Sequence, residues 1–89
     1  MNTRLTIMYR PEFIRLYGNL EPSLREECKE KIDMFKDREN HRYLKVHKLH
    51  GRLNGRYGFS VNYKYRIVFE YEDKNTAVLM AVGDHDIYN

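Results

Sequence analysis

Residues 57–71 read YGFSVNYKYRIVFEY, and this stretch decides the fold. Aromatic or branched apolar residues occupy every second position in residues 57–63 and again in residues 65–71, which is the period of a strand with one buried face. A polar turn at residues 73–75 leads to residues 76–82, an apolar run typical of a strand buried on both faces. The C-terminal half therefore predicts three successive strands joined by tight turns.

The N-terminal half changes to helical periodicity after one short strand at residues 5–9. Pro11 suits the first turn of a helix, and Glu21-Pro22-Ser23 separates that helix from a second one. The second helix carries an apolar stripe at helical spacing, formed by Leu24, Cys28, Ile32 and Phe35. Over residues 1–89 the sequence predicts a single α+β domain of order β-α-α-β-β-β, an antiparallel sheet with two helices packed on one face.

Composition excludes several classes of protein. With 42% hydrophobic residues, 8 Tyr and 4 Phe in 89 residues, the chain is too rich in core-forming residues to be disordered. No apolar run approaches the roughly 20 residues that span a bilayer, and residues 1–5 do not resemble a signal peptide. Cys28 is the only cysteine, so neither a disulfide framework nor a zinc ribbon is expected, and we expect it to be a core residue.

Charge is distributed unevenly along the chain, although the net charge is only +3. No carboxylate occurs in residues 40–69, where seven Lys and Arg residues alternate with aromatic residues. This pattern favours a polyanion with stackable bases as a partner, whereas its ordinary alternative is a solvated basic surface.

Four places carry residues suited to phosphate chemistry: the stretch HKLHG at residues 47–51, Arg66, His85 and Tyr88. Histidine exchanges protons near neutral pH, and arginine binds phosphate oxygens while keeping its charge. Together they fit metal-free RNA cleavage, in which the 2′-hydroxyl attacks the adjacent phosphate. Each residue also has an ordinary structural interpretation: Arg66 as an ion-pair partner of Glu70, His85 as an exposed tail residue, and Tyr88 as an apolar plug.

The sequence motifs at these places resemble the RelE/ParE superfamily of bacterial toxins. The motifs are HKLHGRLNG at residues 47–55, YGFSV at residues 57–61, YRIVFE at residues 65–70 and GDHDIY at residues 83–88. The resemblance implies a microbial ribonuclease fold. It also implies a ribosome-dependent mRNA endonuclease that inhibits translation and is neutralised by a cognate antitoxin.

The resemblance also implies roles for individual residues. Arg66 matches the phosphate-binding arginine of RelE-like and YoeB-like members, and His85 matches their C-terminal catalytic histidine. His47 matches a catalytic glutamate of YoeB-like members and a histidine of YafQ-like members. Tyr88 takes the terminal aromatic position, one residue closer to the histidine than is common in YafQ-like members.

Two departures from the family pattern narrow the chemistry. The paired lysines of RelE fall near Tyr57 and Phe59 here, so a lysine-based scheme is excluded. An additional histidine and aspartate of YafQ-like members fall nearest to Ser60 and Lys64.

The leading hypothesis is therefore a toxin that cleaves mRNA in the ribosomal A site, in the cytoplasm, without a cofactor or metal. His47 would act as base and Arg66 as phosphate clamp, with His85 and Tyr88 on the leaving-group side. Further contacts to RNA phosphates would come from Lys48, His50, Arg56 and Lys64. Two alternatives are a ParE-like toxin that binds DNA gyrase and cleaves nothing, and an inactive relative that only binds its partner.

Overall fold

The two longest strands form a hairpin at the centre of the sheet. β4 (Tyr65–Asp73) and β5 (Thr76–Asp84) pair antiparallel across a two-residue turn. The computed structural model describes residues 3–88, and for residues 85 and 88 it describes the backbone only.

The other strands extend the sheet on both sides of this hairpin. The earlier elements are β1 (Thr6–Tyr9), α1 (Pro11–Gly18), α2 (Pro22–Phe35), β2 (His47–Lys48) and β3 (Tyr57–Ser60). Within the described residues the strand order is β1-β5-β4-β3-β2. The predicted α+β fold, with two helices on one face of a sheet, is confirmed.

The strand arrangement differs from the prediction in two particulars. β1 pairs with β5 in parallel, so the sheet is mixed, because periodicity reports which side chains are buried but not the direction of a neighbouring strand. β2 is an additional strand of two residues that the predicted order β-α-α-β-β-β does not contain, because it is too short to show any period.

The helices form as their sequences predict, each with proline in its first turn. Cys28, Ile32 and Phe35 of α2 are buried against the sheet, as the apolar stripe predicts. The ring of Phe35 stacks on Phe59 with centroids 4.4 Å apart and meets the edge of Phe69 at 4.6 Å. Such aromatic contacts add to the stabilisation from buried apolar area, so this cluster joins the helices to the centre of the sheet.

The strand predicted over residues 57–63 ends earlier than its alternation suggests. β3 stops at Ser60, and the chain turns through residues 61–64 before β4 begins. Val61 is still buried, but the Tyr63 side chain is 92% exposed. The expectation that Tyr63 lies on the apolar face is therefore wrong, because the chain has already left the sheet at this residue.

No helix in residues 3–88 is both long enough and apolar enough to cross a membrane.

Candidate functional site

The face of the sheet opposite the helices, here called the outer face, brings the central candidate residue between two small neighbours. Arg66 lies opposite Ser60 of β3 and opposite Gly83 of β5. Its neighbour Ile67 is fully buried on the helix side, so the alternation of the strand directs Arg66 to the outer face, as predicted. Arg66 is half-buried between these two small residues.

The Arg66 guanidinium is oriented by the turn between β3 and β4. Its Nη1 donates to the backbone carbonyl oxygen of Asn62 at 2.6 Å and to that of Tyr65 at 3.1 Å. No carboxylate of the described residues forms an ion pair with Arg66; Glu70 pairs instead with Arg56, with Oε2 3.5 Å from Nε. Arg66 is therefore held by neutral carbonyls and keeps its charge uncompensated by a neighbouring anion.

Asn62 organises the turn that holds Arg66. Its side-chain Oδ1 accepts hydrogen bonds from the backbone N–H groups of Lys64 at 2.8 Å and Tyr65 at 2.7 Å. Its Nδ2 donates to the Glu27 carboxylate on α2 at 2.9 Å. Asparagine closes turns in this way, and here it also ties the turn to the helix layer.

The C-terminal turn, a 3-10 turn over His85–Tyr88, begins directly after β5 at the same end of the sheet as Arg66. Asp84, the last residue of β5, lies opposite Tyr65, and its carboxylate accepts from the backbone N–H of Asp86 at 3.0 Å. The backbone of residue 85 therefore follows the strand beside the one that carries Arg66. The predicted roles of the His85 and Tyr88 side chains lie outside the described residues.

Gly83 allows the C-terminal turn to fold back onto the outer face. A Cβ atom built on Gly83 would overlap Cγ2 of Ile87, so the contact between strand and turn requires a residue without a side chain. This packing sets the position at which residue 85 leaves the sheet.

His47 lies on the outer face but not beside Arg66. It pairs with Gly58, which in turn pairs with Val68. Standard strand spacing then puts the Cα atoms of His47 and Arg66 about 12 Å apart. The Arg66 guanidinium also points toward Asn62, along the sheet in the direction away from His47.

The His47 ring is oriented by its own connection. Nδ1 lies 2.8 Å from the carbonyl oxygen of Lys45, a residue whose φ of 61° turns the chain sharply just before β2. Because a carbonyl can only accept, Nδ1 is assigned as the donor, and Nε2 carries the lone pair of the neutral ring. In this tautomer Nε2 is the ring nitrogen that could accept a proton.

The predicted phosphate-binding residues divide into two groups. Arg56 and His50 line one cleft in the connection between β2 and β3. Lys48 lines the same cleft, but it pairs with Tyr57, whose ring packs with the core, so Lys48 lies on the helix side of the sheet. Lys64 lies apart from these residues, in the turn between β3 and β4, where its Nζ is 5.8 Å from the centroid of the Tyr65 ring.

A second arginine, which the sequence analysis did not single out, faces Arg56 across the outer face. Arg10 and Arg56 both line a groove of about 390 Å³ whose floor includes Val68, Ala81 and Ile87. Arg10 lies between β1 and α1, more than forty residues before Arg56 in the chain. No local pattern connects the two, and only the parallel pairing of β1 with β5 brings Arg10 to this groove.

Among the described residues, no group of three or more His, Cys, Asp or Glu side chains is arranged to hold a metal ion.

Protein-family models and curated proteins yield no match to this sequence. Solved structures do match: the fold is that of the RelE, YoeB and YafQ toxins, which confirms the fold that the sequence motifs suggested.

Three of these structures illustrate the likeness. The RelBE2 toxin–antitoxin complex from Mycobacterium tuberculosis contains a chain with a TM-score of 0.76 and 20% identity, covering 92% of this chain and 99% of that one. YafQ from E. coli gives a TM-score of 0.72 at 12% identity, with 94% and 97% covered. The YoeB–YefM complex from Staphylococcus aureus gives 0.69 at 21% identity, with 92% and 98% covered. At these identities the likeness establishes the fold.

Proposed function

We propose that this protein is the toxin of a type II toxin–antitoxin system and that it cleaves mRNA on the ribosome. The observation that carries the proposal is Arg66, a cation held on the outer face by backbone carbonyls and adjacent to the strand that leads into His85. A RelE-like fold and the absence of carboxylates from residues 40–69 support it.

The proposed reaction is an attack of the RNA 2′-hydroxyl on the neighbouring phosphorus. The O2′–P bond forms and the P–O5′ bond breaks, which leaves a 2′,3′-cyclic phosphate and a 5′-hydroxyl. His47 would take the proton of the 2′-hydroxyl, and His85 with Tyr88 would protonate O5′. Arg66 would stabilise the charge that builds on the phosphate oxygens, so no metal is required.

The distance between His47 and Arg66 sets a condition on this mechanism. With Cα atoms about 12 Å apart, both groups reach one phosphate only if the guanidinium turns from Asn62 toward the centre of the outer face. A phosphate can displace the two neutral carbonyls, because it is an ionised acceptor and can take two parallel N–H bonds from the guanidinium. Bound RNA would therefore complete the site.

The second part of the proposal is a cognate antitoxin. Two of the three structures described above are toxin–antitoxin complexes, RelBE2 and YoeB–YefM. For this chain we expect an acidic or amphipathic segment that orders on binding and neutralises the basic surface. The complex should weaken with salt, and a pull-down of the neighbouring gene product at increasing ionic strength measures this.

The test of the proposal is primer-extension mapping of mRNA on translating ribosomes after addition of the purified protein. We expect Arg66→Ala and His85→Ala to lower cleavage by at least 100-fold, with His47→Ala showing a similar loss. Lys29→Ala is the control, because that exposed cation is paired with Glu26 on α2, on the helix side of the sheet.

Three results would contradict the proposal. An intact mRNA with the wild-type protein would remove the nuclease function. Wild-type cleavage by folded Arg66→Ala and His85→Ala would remove the site. Growth arrest without mRNA cleavage, relieved by a gyrase resistant to such toxins, would establish the gyrase-binding alternative.

A further inference from the structure

Tyr63 differs in its surroundings from the other tyrosines of residues 57–71. The rings of Tyr57, Tyr65 and Tyr71 pack against the core, whereas the Tyr63 side chain is 92% exposed at the tip of the turn between β3 and β4. A single exposed aromatic residue is ordinary on a protein surface. Two further features distinguish Tyr63: the turn that holds its backbone and the neighbouring Arg66.

The turn is held from both sides. Val61 is buried, and its backbone N–H donates to the carbonyl oxygen of Tyr65 at 2.9 Å. The Asn62 side chain closes the turn and bonds to Glu27 on α2. The backbone of Tyr63 is therefore fixed on both sides of the residue, so binding a ligand at this turn costs little backbone entropy.

Tyr63 is also joined directly to the proposed phosphate clamp. The carbonyl oxygen that accepts from Arg66 Nη1 at 2.6 Å belongs to Asn62, and the nitrogen of the same peptide bond belongs to Tyr63. The bonds that fix the turn come from Val61 and Asn62 and do not involve the Arg66 side chain, so Tyr63 stays beside the clamp when the guanidinium leaves the Asn62 carbonyl for a phosphate. Two cations, Lys64 and Arg66, lie within three residues of Tyr63, whereas the Glu27 carboxylate that bonds to Asn62 belongs to α2 on the helix side. An anionic ligand is therefore favoured on the side of the turn that faces away from α2.

We propose that Tyr63 is a stacking platform for an unpaired RNA base adjacent to the phosphate bound by Arg66. An exposed aromatic ring beside cations is how proteins hold single-stranded RNA, because every base offers a face for stacking. Tyr63 would thus select an unpaired nucleotide at one position next to the cleaved bond. This inference rests on the proposed function, since it assigns part of the same substrate.

The experiment is a mutant cycle on ribosomes programmed with synthetic mRNA. Cleavage is measured as kcat/KM for the wild type, Tyr63→Ala and Tyr63→Phe, each on intact mRNA and on mRNA with one abasic nucleotide on either side of the cleaved bond. Tyr43→Ala is the control, because that tyrosine is also exposed, at 69%, but lies in the connection before β2.

We expect Tyr63→Ala to lower kcat/KM by about 5- to 150-fold, the range for one stacked base. Phenylalanine should restore it, because stacking does not need the hydroxyl. One abasic position should reduce wild-type cleavage by the same factor and have no further effect on Tyr63→Ala.

Two outcomes would overturn the inference. One is wild-type cleavage by Tyr63→Ala. The other is that Tyr63→Ala lowers kcat/KM by the same factor on intact mRNA and on both abasic mRNAs. That result would mean that the ring contacts a protein and not a base. If the wild type itself leaves mRNA intact, the proposed function fails first and this inference fails with it, whatever residue occupies position 63.

Discussion

Adding one methyl group at Gly83 should disable the proposed site without removing any of its chemical groups. The Cβ atom of Gly83→Ala would overlap Cγ2 of Ile87 on the C-terminal turn. Carbon atoms pack at about 3.5–4.0 Å, so the turn must move by roughly 1 Å or more to accommodate the methyl group. Overpacking of this kind costs about 1–3 kcal/mol of stability.

The functional effect should exceed the effect on stability. Residue 85 begins the displaced turn, and a shift of about 1 Å in a reacting group can lower a rate by about 100-fold. We therefore expect Gly83→Ala to remain folded but to cleave mRNA about 100-fold more slowly. The assay is primer extension on ribosomes, with thermal unfolding measured on the same samples.

A compensating substitution makes this reasoning refutable. Ile87→Ala removes the Cγ2 atom that the new methyl group meets, so the double variant Gly83→Ala/Ile87→Ala should recover most of the cleavage lost by Gly83→Ala. If Gly83→Ala cleaves like the wild type, the close packing of turn and strand does not position residue 85. If the double variant shows no recovery, the loss has another cause.

Three further predictions concern the framework around the site. Asn62→Ala should lower stability by about 1–3 kcal/mol, since it leaves backbone donors of the turn unpaired, and should also lower cleavage. The control is Asn75→Ala, in the other hairpin turn. Equal unfolding temperatures of the two variants would refute the role of Asn62. Burial raises the pKa of Cys28 to about 11. At pH 8 its thiolate population is therefore about 100-fold below that of a thiol with a pKa of 9.0. Alkylation of Cys28 should be slower by at least this factor in the native protein than in urea, and rapid labelling of the native protein would contradict the packing of α2. Burial lowers the pKa of His41, whose ring stacks on Phe35 at 4.7 Å. The folded state therefore binds the proton less tightly than the unfolded state does. The contribution of neutral His41 to stability is complete above about pH 6.5 and is lost as the pH falls. Unfolding temperatures measured between pH 7.5 and pH 5 should fall more steeply for the wild type than for His41→Phe, and equal slopes would refute this.

The layered fold was predictable because burial imposes a period on each element. The stripe of Leu24, Cys28, Ile32 and Phe35 predicted α2, and the alternation through Ile67 placed Arg66 on the opposite face.

The same period misled at the end of β3. Val61 is buried and continues the alternation, yet the chain has already begun the turn that Asn62 closes, so Tyr63 faces solvent. Periodicity cannot distinguish a buried turn residue from a buried strand residue. The pairing of Glu70 with Arg56 instead of Arg66 had a similar origin, because a strand pattern assigns residues to a face but not to partners.

The candidate site was predictable only in part. Its residue types and the position of Arg66 followed from the motifs and the strand pattern. The separation of His47 from Arg66 depends on β2, which is too short to predict, and Arg10 reaches its groove through a parallel pairing of distant segments.

The central claim is that the protein cleaves RNA by means of the substrate's own 2′-hydroxyl, and one substitution in the substrate tests it most directly. A synthetic mRNA with a single 2′-deoxynucleotide at the mapped cleavage position is placed on ribosomes and incubated with the wild-type protein. We predict that cleavage at that position is abolished, while the all-ribose mRNA yields a 2′,3′-cyclic phosphate and a 5′-hydroxyl. Undiminished cleavage of the deoxy-substituted mRNA, or a 3′-hydroxyl product from the all-ribose mRNA, would contradict the account.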